Sequence, residues 1–406
     1  ERIREETKIG KRLWTAITAG YDRAFVTILD ANLTTLLVGV ILFILGSGPI
    51  RGFAVTLCAG IMVSMYTALV ITKLLFAVIA SKTKITNLKM LSIIGETKFD
   101  FISKRKIATT LSLVVIACTC GLLVMRAVKT PGKVFGVDFT GGASVTYTFD
   151  AENKVSTEEL SSAIDAAGVT ATIQYQKQMD SDVDTTLQVK TGVDLVDGKK
   201  ASEIVKSLLI NNYSDAAYTV AQEDEVGSRI GKELKKSAVW SIIAALLGII
   251  IYISWRFELG FAIGAIVALA HDVLVTIGVY SVTGHQISLP IIAALLTIVG
   301  YSVNDTIVVF DRIREDLKLM KKGSFKDICN LSINQTLSRT ILTSLTTLIT
   351  VLMLLIFGGG AIFDFALALC IGILVGTYSS IFVATPVVLM WYKSKKPEFA
   401  KTAAQV

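Results

Sequence analysis

Histidine is almost missing from this chain: 406 residues contain two, His271 and His285. With no His/Cys cluster to supply ligands, metal-centred chemistry has nothing to rest on. Cysteine is nearly as scarce. Of five, Cys58, Cys118, Cys120 and Cys370 lie in apolar runs and Cys329 in a charged stretch. None falls in the polar segment 133–225, so no disulfide framework is implied. Cys118 and Cys120 point to different helix faces and read as lipid or packing surface. Charge is thin as well, at 18% of residues against 52% hydrophobic, with a mean hydropathy of +0.63; a soluble globular protein carries more charge than this. The stretch that superficially looks like a phosphate loop, Gly227-Ser228-Arg229-Ile230-Gly231-Lys232, is one residue short between its glycines and lacks the hydroxyl after the lysine. No enzymatic constellation remains, and no cofactor is expected.

What is present is long apolar runs, several wider than the roughly 18 residues that read as a membrane-spanning helix. Spans are expected at about 33–45, 53–79, 107–128, 239–255, 261–282, 287–310, 340–357 and 365–392, the first two joined by Gly46-Ser47-Gly48-Pro49. The net charge of +7 is no nucleic-acid signal, because the basic residues cluster in short segments beside spans: Lys8, Lys11 and Arg12; Lys104, Arg105 and Lys106; Lys318, Lys321 and Lys322; Lys393, Lys395 and Lys396. That bias places those segments, and both chain ends, on the inner side of a cell membrane crossed several times. The chain opens on Glu1 rather than Met, with no signal peptide before its first apolar run, so a piece of a longer polypeptide is expected.

The expected organisation is a two-span unit over 1–79 whose first 32 residues lie as an amphipathic segment on the inner surface. An inside linker at 80–106, a span at 107–128 and an external domain at 129–236 follow. Five further spans at 237–392 enclose an inside loop at about 311–334, and 393–406 is a tail. In the polar segment, residues 144–149, 172–177, 185–191 and 217–226 read as strands. Ser156 with Glu159 caps a helix to Ala167, and a second helix runs over about 200–211. The order β-α-β-β-α-β is the ferredoxin-like pattern.

An internal repeat ties the two ends together. A shift of 312 residues lays Leu33-Thr34-Thr35-Leu36 on Leu345-Thr346-Thr347-Leu348, Phe53 on Phe365, Gly60 on Gly372 and Tyr66 on Tyr378. A shift of 310 lays Arg2-Ile3-Arg4-Glu5 on Arg312-Ile313-Arg314-Glu315. Two copies running in the same direction imply halves related by an axis along the membrane normal.

Inside the sixth run stand Asn304 and Asp305. A carboxylate near mid-bilayer costs about 2.5–3.5 kcal/mol on insertion scales, so Asp305 is expected to face protein and find a partner. Arg339, near the start of the next span, is the candidate; an arginine that alternately pairs with a carboxylate tunes its protonation. The competing readings are a static buried polar bond for Asp305 and a snorkelling interfacial residue for Arg339. Asn304 is a further candidate for the proton pathway, with a helix–helix hydrogen bond as its competing reading. His271 and Asp272 either extend a proton relay or form an interior pair. The hydroxyls of Thr343, Ser344, Thr346, Thr347 and Thr350 read as packing features, with a water-carrying stripe as the alternative, and Gly372-x-x-x-Gly376 reads as close helix packing. Gly141 and Gly142 supply backbone freedom at a hinge between span and domain.

The chain resembles the SecD/SecF family, accessory membrane proteins of the Sec protein-export machinery within the resistance-nodulation-division (RND) class. The residues that carry this are Phe135-Gly136-Val137-Asp138-Phe139-Thr140-Gly141-Gly142, His271-Asp272, the run from Gly300-Tyr301-Ser302-Val303-Asn304-Asp305 to Arg314-Glu315, and Leu29-Asp30-Ala31-Asn32-Leu33-Thr34-Thr35. The resemblance covers the tail of a SecD, about 1–79, and a complete SecF from about residue 98 to 392. It implies a polytopic α-helical membrane protein of about eight spans, RND-like, with one external α+β ferredoxin-like domain. It also implies proton flow, with protons as the coupling ion, through Asp305 and Arg339, and motion of the external domain that aids late preprotein release. The implied hinge motif is Gly136, Asp138, Gly141 and Gly142. The implied partners are the Sec translocon channel, preprotein, the remaining SecD part and the bilayer. Two rivals stand: an RND-type exporter of small molecules or lipids, and a non-transducing translocon scaffold.

Overall fold

The computed structural model describes residues 2–46, 48–82, 95, 97–129, 134–177, 184–192, 195–196, 198–320 and 323–397. Of the inside linker expected at 80–106, residues 83–94 and 96 fall outside them, as does most of the tail at 393–406.

Among the described residues, eight helices are long and apolar enough to cross a membrane. A short helix α1 (Arg2–Lys8) precedes the first, α2 (Leu13–Leu45). The second is α3 (Pro49–Tyr66), which passes through a π-helical turn at Thr67–Ile71 into α4 (Thr72–Lys82). The third is α5 (Arg105–Lys129). After the polar domain come α9 (Ser228–Arg256), α10 (Leu259–Val282), α11 (Leu289–Leu319) and α12 (Phe325–Phe357). The eighth is α13 (Gly360–Ser379), joined through a π-helical turn at Ser380–Ala384 to α14 (Thr385–Trp391). Helix α11 is the axis of the bundle: 83% of its most apolar window is buried, against 6–56% for the other seven.

Three boundaries differ from expectation, each for a local reason. Residues 13–32 do not lie as a separate surface segment: no proline interrupts the run, and α2 continues unbroken through Gly20 and Gly39 to Leu45. Of the inside loop expected at 311–334, residues 311–319 are helical in α11 and 325–334 in α12. Charge alone does not break a helix, and Arg312 pairs with Glu315 at 3.0 Å and Asp316 at 3.5 Å along the α11 surface. Ser324 and Asp327 form a capping box that starts α12 at Phe325. Helix α9 likewise begins at Ser228, so the boundary expected at 236/237 falls inside one continuous helix whose first turns lie in the polar domain.

The polar domain holds α6 (Val137–Thr140), β1 (Gly142–Thr148), α7 (Thr157–Ala166), β2 (Ala171–Lys177), β3 (Asp184–Thr191), a two-stranded β4 (Leu195–Val196) and β5 (Lys199–Lys200), α8 (Ala201–Asn212) and β6 (Thr219–Val226). The sheet order is β2-β3-β1-β6, all pairs antiparallel. Alternation along β1 and β3 turns Tyr147, Leu187 and Val189 onto Leu160 and Ile164 of α7 and Leu209 of α8, which closes the core. The expected cap is present, with the Ser156 side chain accepting from Glu159 N–H at 3.2 Å.

The duplication is visible in backbone detail. Gly46 donates to Leu42 and Gly358 to Leu354, both at 2.8 Å. The two π-helical turns sit 313 residues apart, Thr67–Ile71 against Ser380–Ala384. Phe53 meets its counterpart Phe365 edge to face, ring centroids 6.2 Å apart.

Candidate functional site

Two carboxylates are sealed against α11. Asp305, on α11 itself, is 3% exposed, and Asp272, on α10, is 0% exposed. A lone carboxylate in such surroundings is costly, so its partners decide what it does.

Asp272 is enclosed by donors from two other helices and by its own chain neighbour His271. Its Oδ2 accepts from Ser302 at 2.5 Å and from Ser379 at 2.7 Å, and its Oδ1 lies 2.8 Å from His271 Nδ1. The other ring nitrogen of His271 lies 3.0 Å from Ser112 Oγ on α5, which in turn meets the Tyr378 hydroxyl at 3.2 Å. His271 and Asp272 therefore form an interior pair continued by hydroxyls. Gly376 makes room for them, since a Cβ there would stand 3.2 Å from Ser302 Cβ and 3.7 Å from Asp272. At Gly372 a Cβ would lie 2.2 Å from Ile298 Cδ1, so this glycine pair lets α13 and α11 touch, as expected.

Asp305 is held more loosely. Ser344 on α12 donates to its Oδ2 at 3.4 Å, and the Thr343 hydroxyl also faces it. Ser344 is itself approached by Thr377 at 2.7 Å and by Tyr301 at 3.4 Å. Arg339 reaches Asp305 through its charge, but among the described residues Asp305 has no ion pair within 4 Å. The direct pairing expected from the sequence is thus replaced by electrostatic reach across a hydroxyl screen. Nor does Arg339 sit near a helix start; it is well inside α12. It borders a cavity of about 430 Å³ that Thr27, Asp311, Arg312 and Arg2 also line.

Asn304 differs from its expected role: its buried Oδ1 has no hydrogen-bond partner among the described residues. Thr343, Thr346, Thr347 and Thr350 each bond back to a carbonyl three or four residues earlier. The hydroxyl stripe of α12 is therefore mostly self-satisfied, and Ser344 and Thr343 are the members turned to Asp305.

At the opposite end of α13 the polar domain docks on the bundle. Asp364 lies 3.1 Å from His285 and 3.9 Å from Lys190 of β3, and His285 approaches Gln174 of β2 at 3.5 Å. The glycine motif lies alongside. Gly136 donates to Ile287 at 2.8 Å, and Asp138 accepts from Leu289 N–H at 2.9 Å, capping α11 from outside its own chain segment. Gly141 and Gly142 take φ of +80° and +136°, and a Cβ on Gly142 would fall 2.0 Å from Thr191 O. The segment is a pinned joint, not a slack hinge.

Sequence reasoning passed over the Asp30–Arg256 pair at 2.6 Å, with Tyr252 also donating to Asp30 at 3.1 Å. The signal was available, since both charges interrupt or end apolar runs. Ser302, Ser379 and Ser112 gave none; single serines in spans are common.

The family model described as "Protein export membrane protein SecD/SecF, C-terminal" matches residues 1–82 and 205–394. The chain belongs to the SecD/SecF family. It is 37% identical over 403 residues to the protein translocase subunit SecDF of Thermus thermophilus, covering 99% of this chain and 53% of that one. It is 42% identical over 298 residues to SecF of Desulfurispirillum indicum, covering 72% of this chain and 91% of the relative. The crystal structure of Thermus SecDF, a translocon-associated membrane protein, superposes with a TM-score of 0.82 at 38% identity, over 97% of this chain and 52% of that one. This chain thus spans about half the length of the SecDF relatives.

Proposed function

We propose that the chain is the helix-bundle part of a proton-driven accessory component of the Sec translocon, acting late in preprotein translocation. Protons are the coupling ion, Asp305 the group that loads and releases them, and Arg339 the cation that biases its charge state. The observation that carries this reading is a carboxylate 3% exposed in the most buried helix, held by hydroxyls rather than locked in an ion pair. A permanent ion pair would fix the charge, whereas a hydroxyl shell tolerates either protonation state. The Asp272–His271–Ser112 series extends the polar route across α10 and α5.

Helix α13 supports coupling to the polar domain. Its early residue Asp364 contacts His285 and Lys190, and its last residue Ser379 contacts Asp272. Fifteen residues of helix separate them, roughly 22 Å at 1.5 Å per residue. One charge moved through 100 mV supplies about 2.3 kcal/mol, enough to bias two packings of such a rod. In this reading the basic ends face the cytoplasm, and the polar domain meets preprotein on the outer side of the cell membrane. The translocon channel and the rest of the SecD-like half complete the assembly.

The test is a reconstitution of the whole protein with the translocon in vesicles under an imposed proton gradient. Wild type accelerates preprotein release, and Asp305→Asn, inserted and folded, does not. Equal acceleration by the variant, or by wild type after the gradient is collapsed, would favour a passive scaffold.

A further inference from the structure

At the end of the bundle away from the polar domain lies a second cavity, of about 500 Å³, lined by five cationic side chains and two carboxylates. Three of the cations have partners. Arg2 meets Glu315 at 3.0 Å, Arg23 meets Glu6 at 2.8 Å, and Arg256 meets Asp30 at 2.6 Å. Arg314 and Lys318 have no ion pair within 4 Å among the described residues. Arg314 is half-buried, its guanidinium carbon 5.0 Å above the Phe257 ring, and Arg256 lies 5.9 Å from the same ring. Two like charges thus flank one buried phenyl ring. The acids that reach Arg314 through charge, Asp311, Glu258 and Asp30, are each engaged elsewhere: with Thr27 at 3.4 Å, Tyr392 at 2.7 Å and Arg256.

We propose that this cavity binds a phosphate-bearing anion, held by Arg314 together with Arg256 and Lys318. Planar guanidinium groups take two phosphate oxygens at once, and a bridging anion relieves the repulsion between Arg256 and Arg314. The depth fits a lipid headgroup. Trp255 precedes Arg256 in the chain and is 83% exposed, and Trp391, at the end of α14, is 49% exposed, which marks the interfacial level of a bilayer. Basic pockets between spanning helices are established homes for anionic headgroups, and free phosphate presents the same chemistry.

The experiment is calorimetric titration of the detergent-solubilised chain with inorganic phosphate, beside native mass spectrometry of the chain released from nanodiscs of phosphatidylcholine with or without phosphatidylglycerol. Phosphate binding is expected to be saturable and to weaken about tenfold or more in Arg314→Gln, the loss of a charge-assisted hydrogen bond. Retention of phosphatidylglycerol that is lost in Arg314→Gln identifies the headgroup as the source. Phosphate binding without lipid retention identifies a soluble anion. If neither phosphate binding nor lipid retention depends on Arg314, the proposal is overturned. Should Arg314→Gln fail to insert, Lys318→Gln, on an exposed side chain, gives the same readout. Asp305→Asn should leave the anion binding unchanged, so failure here is separable from failure of the proton reading.

Discussion

The two copies of the repeat share a backbone and differ in what they carry. Helices α2 and α12 are both 33 residues long, Leu13–Leu45 against Phe325–Phe357, offset by 312 at each end. Yet Thr27 stands where Arg339 does, Asn32 where Ser344 does, Met65 for Thr377 and Thr67 for Ser379. Copy two aims its polar groups at the carboxylates around α11. Copy one uses Asp30 to tie α2 to α9. The second helix of copy one is 6% buried over its apolar window, and that of copy two 56%. Duplication kept the glycines that end α2 and α12 and the π-turns, which depend on backbone, and let the side chains that make a site diverge.

The largest effect should come from packing. Gly372→Ala puts a methyl group into Ile298 and should cost about 1–3 kcal/mol. Its counterpart Gly60 has nothing within 4 Å, so Gly60→Ala should be neutral or stabilise by up to about 1 kcal/mol. Unfolding of both variants in one detergent checks this, and equal losses would erase the asymmetry. Next comes the copy-one anchor. The Asp30 and Arg256 side chains are 11% and 31% exposed, so breaking the pair should fall short of the roughly 3–5 kcal/mol of a fully buried one; about 1–2 kcal/mol is expected. A double-mutant cycle with Asp30→Asn and Arg256→Gln should return a coupling above about 0.5 kcal/mol.

A pH-dependent effect concerns α1. Contact with Lys11, and the nearby charge of Arg23, hold the Glu6 carboxyl below its usual value against the opposing effect of burial. A depressed folded-state pKa gives stability that is present at neutral pH and is lost on acidification, once pH falls below the ordinary glutamate range. Hydrogen exchange in α1 should therefore rise on acidification in wild type and be high throughout in Glu6→Gln; identical profiles would contradict this. The smallest effect joins the copies directly. Arg2 pairs with Glu5 at 2.9 Å and Glu315 at 3.0 Å, while the repeat-related Arg312 pairs with Glu315 at 3.0 Å and lies 4.0 Å from Glu5. These partly exposed pairs should contribute about 0.2–1 kcal/mol each and fade with salt. A cycle on Arg2→Gln and Glu315→Gln measures it, and a salt-independent coupling would show that another contact is responsible.

Much of this was legible in residue order, because eight apolar runs, strand alternation and the Ser156 cap depend on local periodicity. The ends of α11 and α12 were not, since a charged stretch was read as a loop although Ser324-x-x-Asp327 signals a helix start. Asp305 stood out as a charge inside an apolar run. The density of partners around Asp272 did not, because Ser302, Ser379 and Ser112 come from three different helices and meet only in the packed bundle. Arg339 was correctly brought to the neighbourhood of Asp305, but spacing along one chain cannot tell electrostatic reach from contact.

The central claim is that Asp305 changes its ionisation while Ser344 and Thr343 hold it in place. Infrared difference spectroscopy of the ¹³C-aspartate-labelled protein, stepped in pH, reads that directly. A protonated-carboxyl band should appear and vanish with pH, be missing in Asp305→Asn and shift in Ser344→Ala. A spectrum in which no such band depends on Asp305 anywhere in the pH range where the protein stays folded would contradict the account.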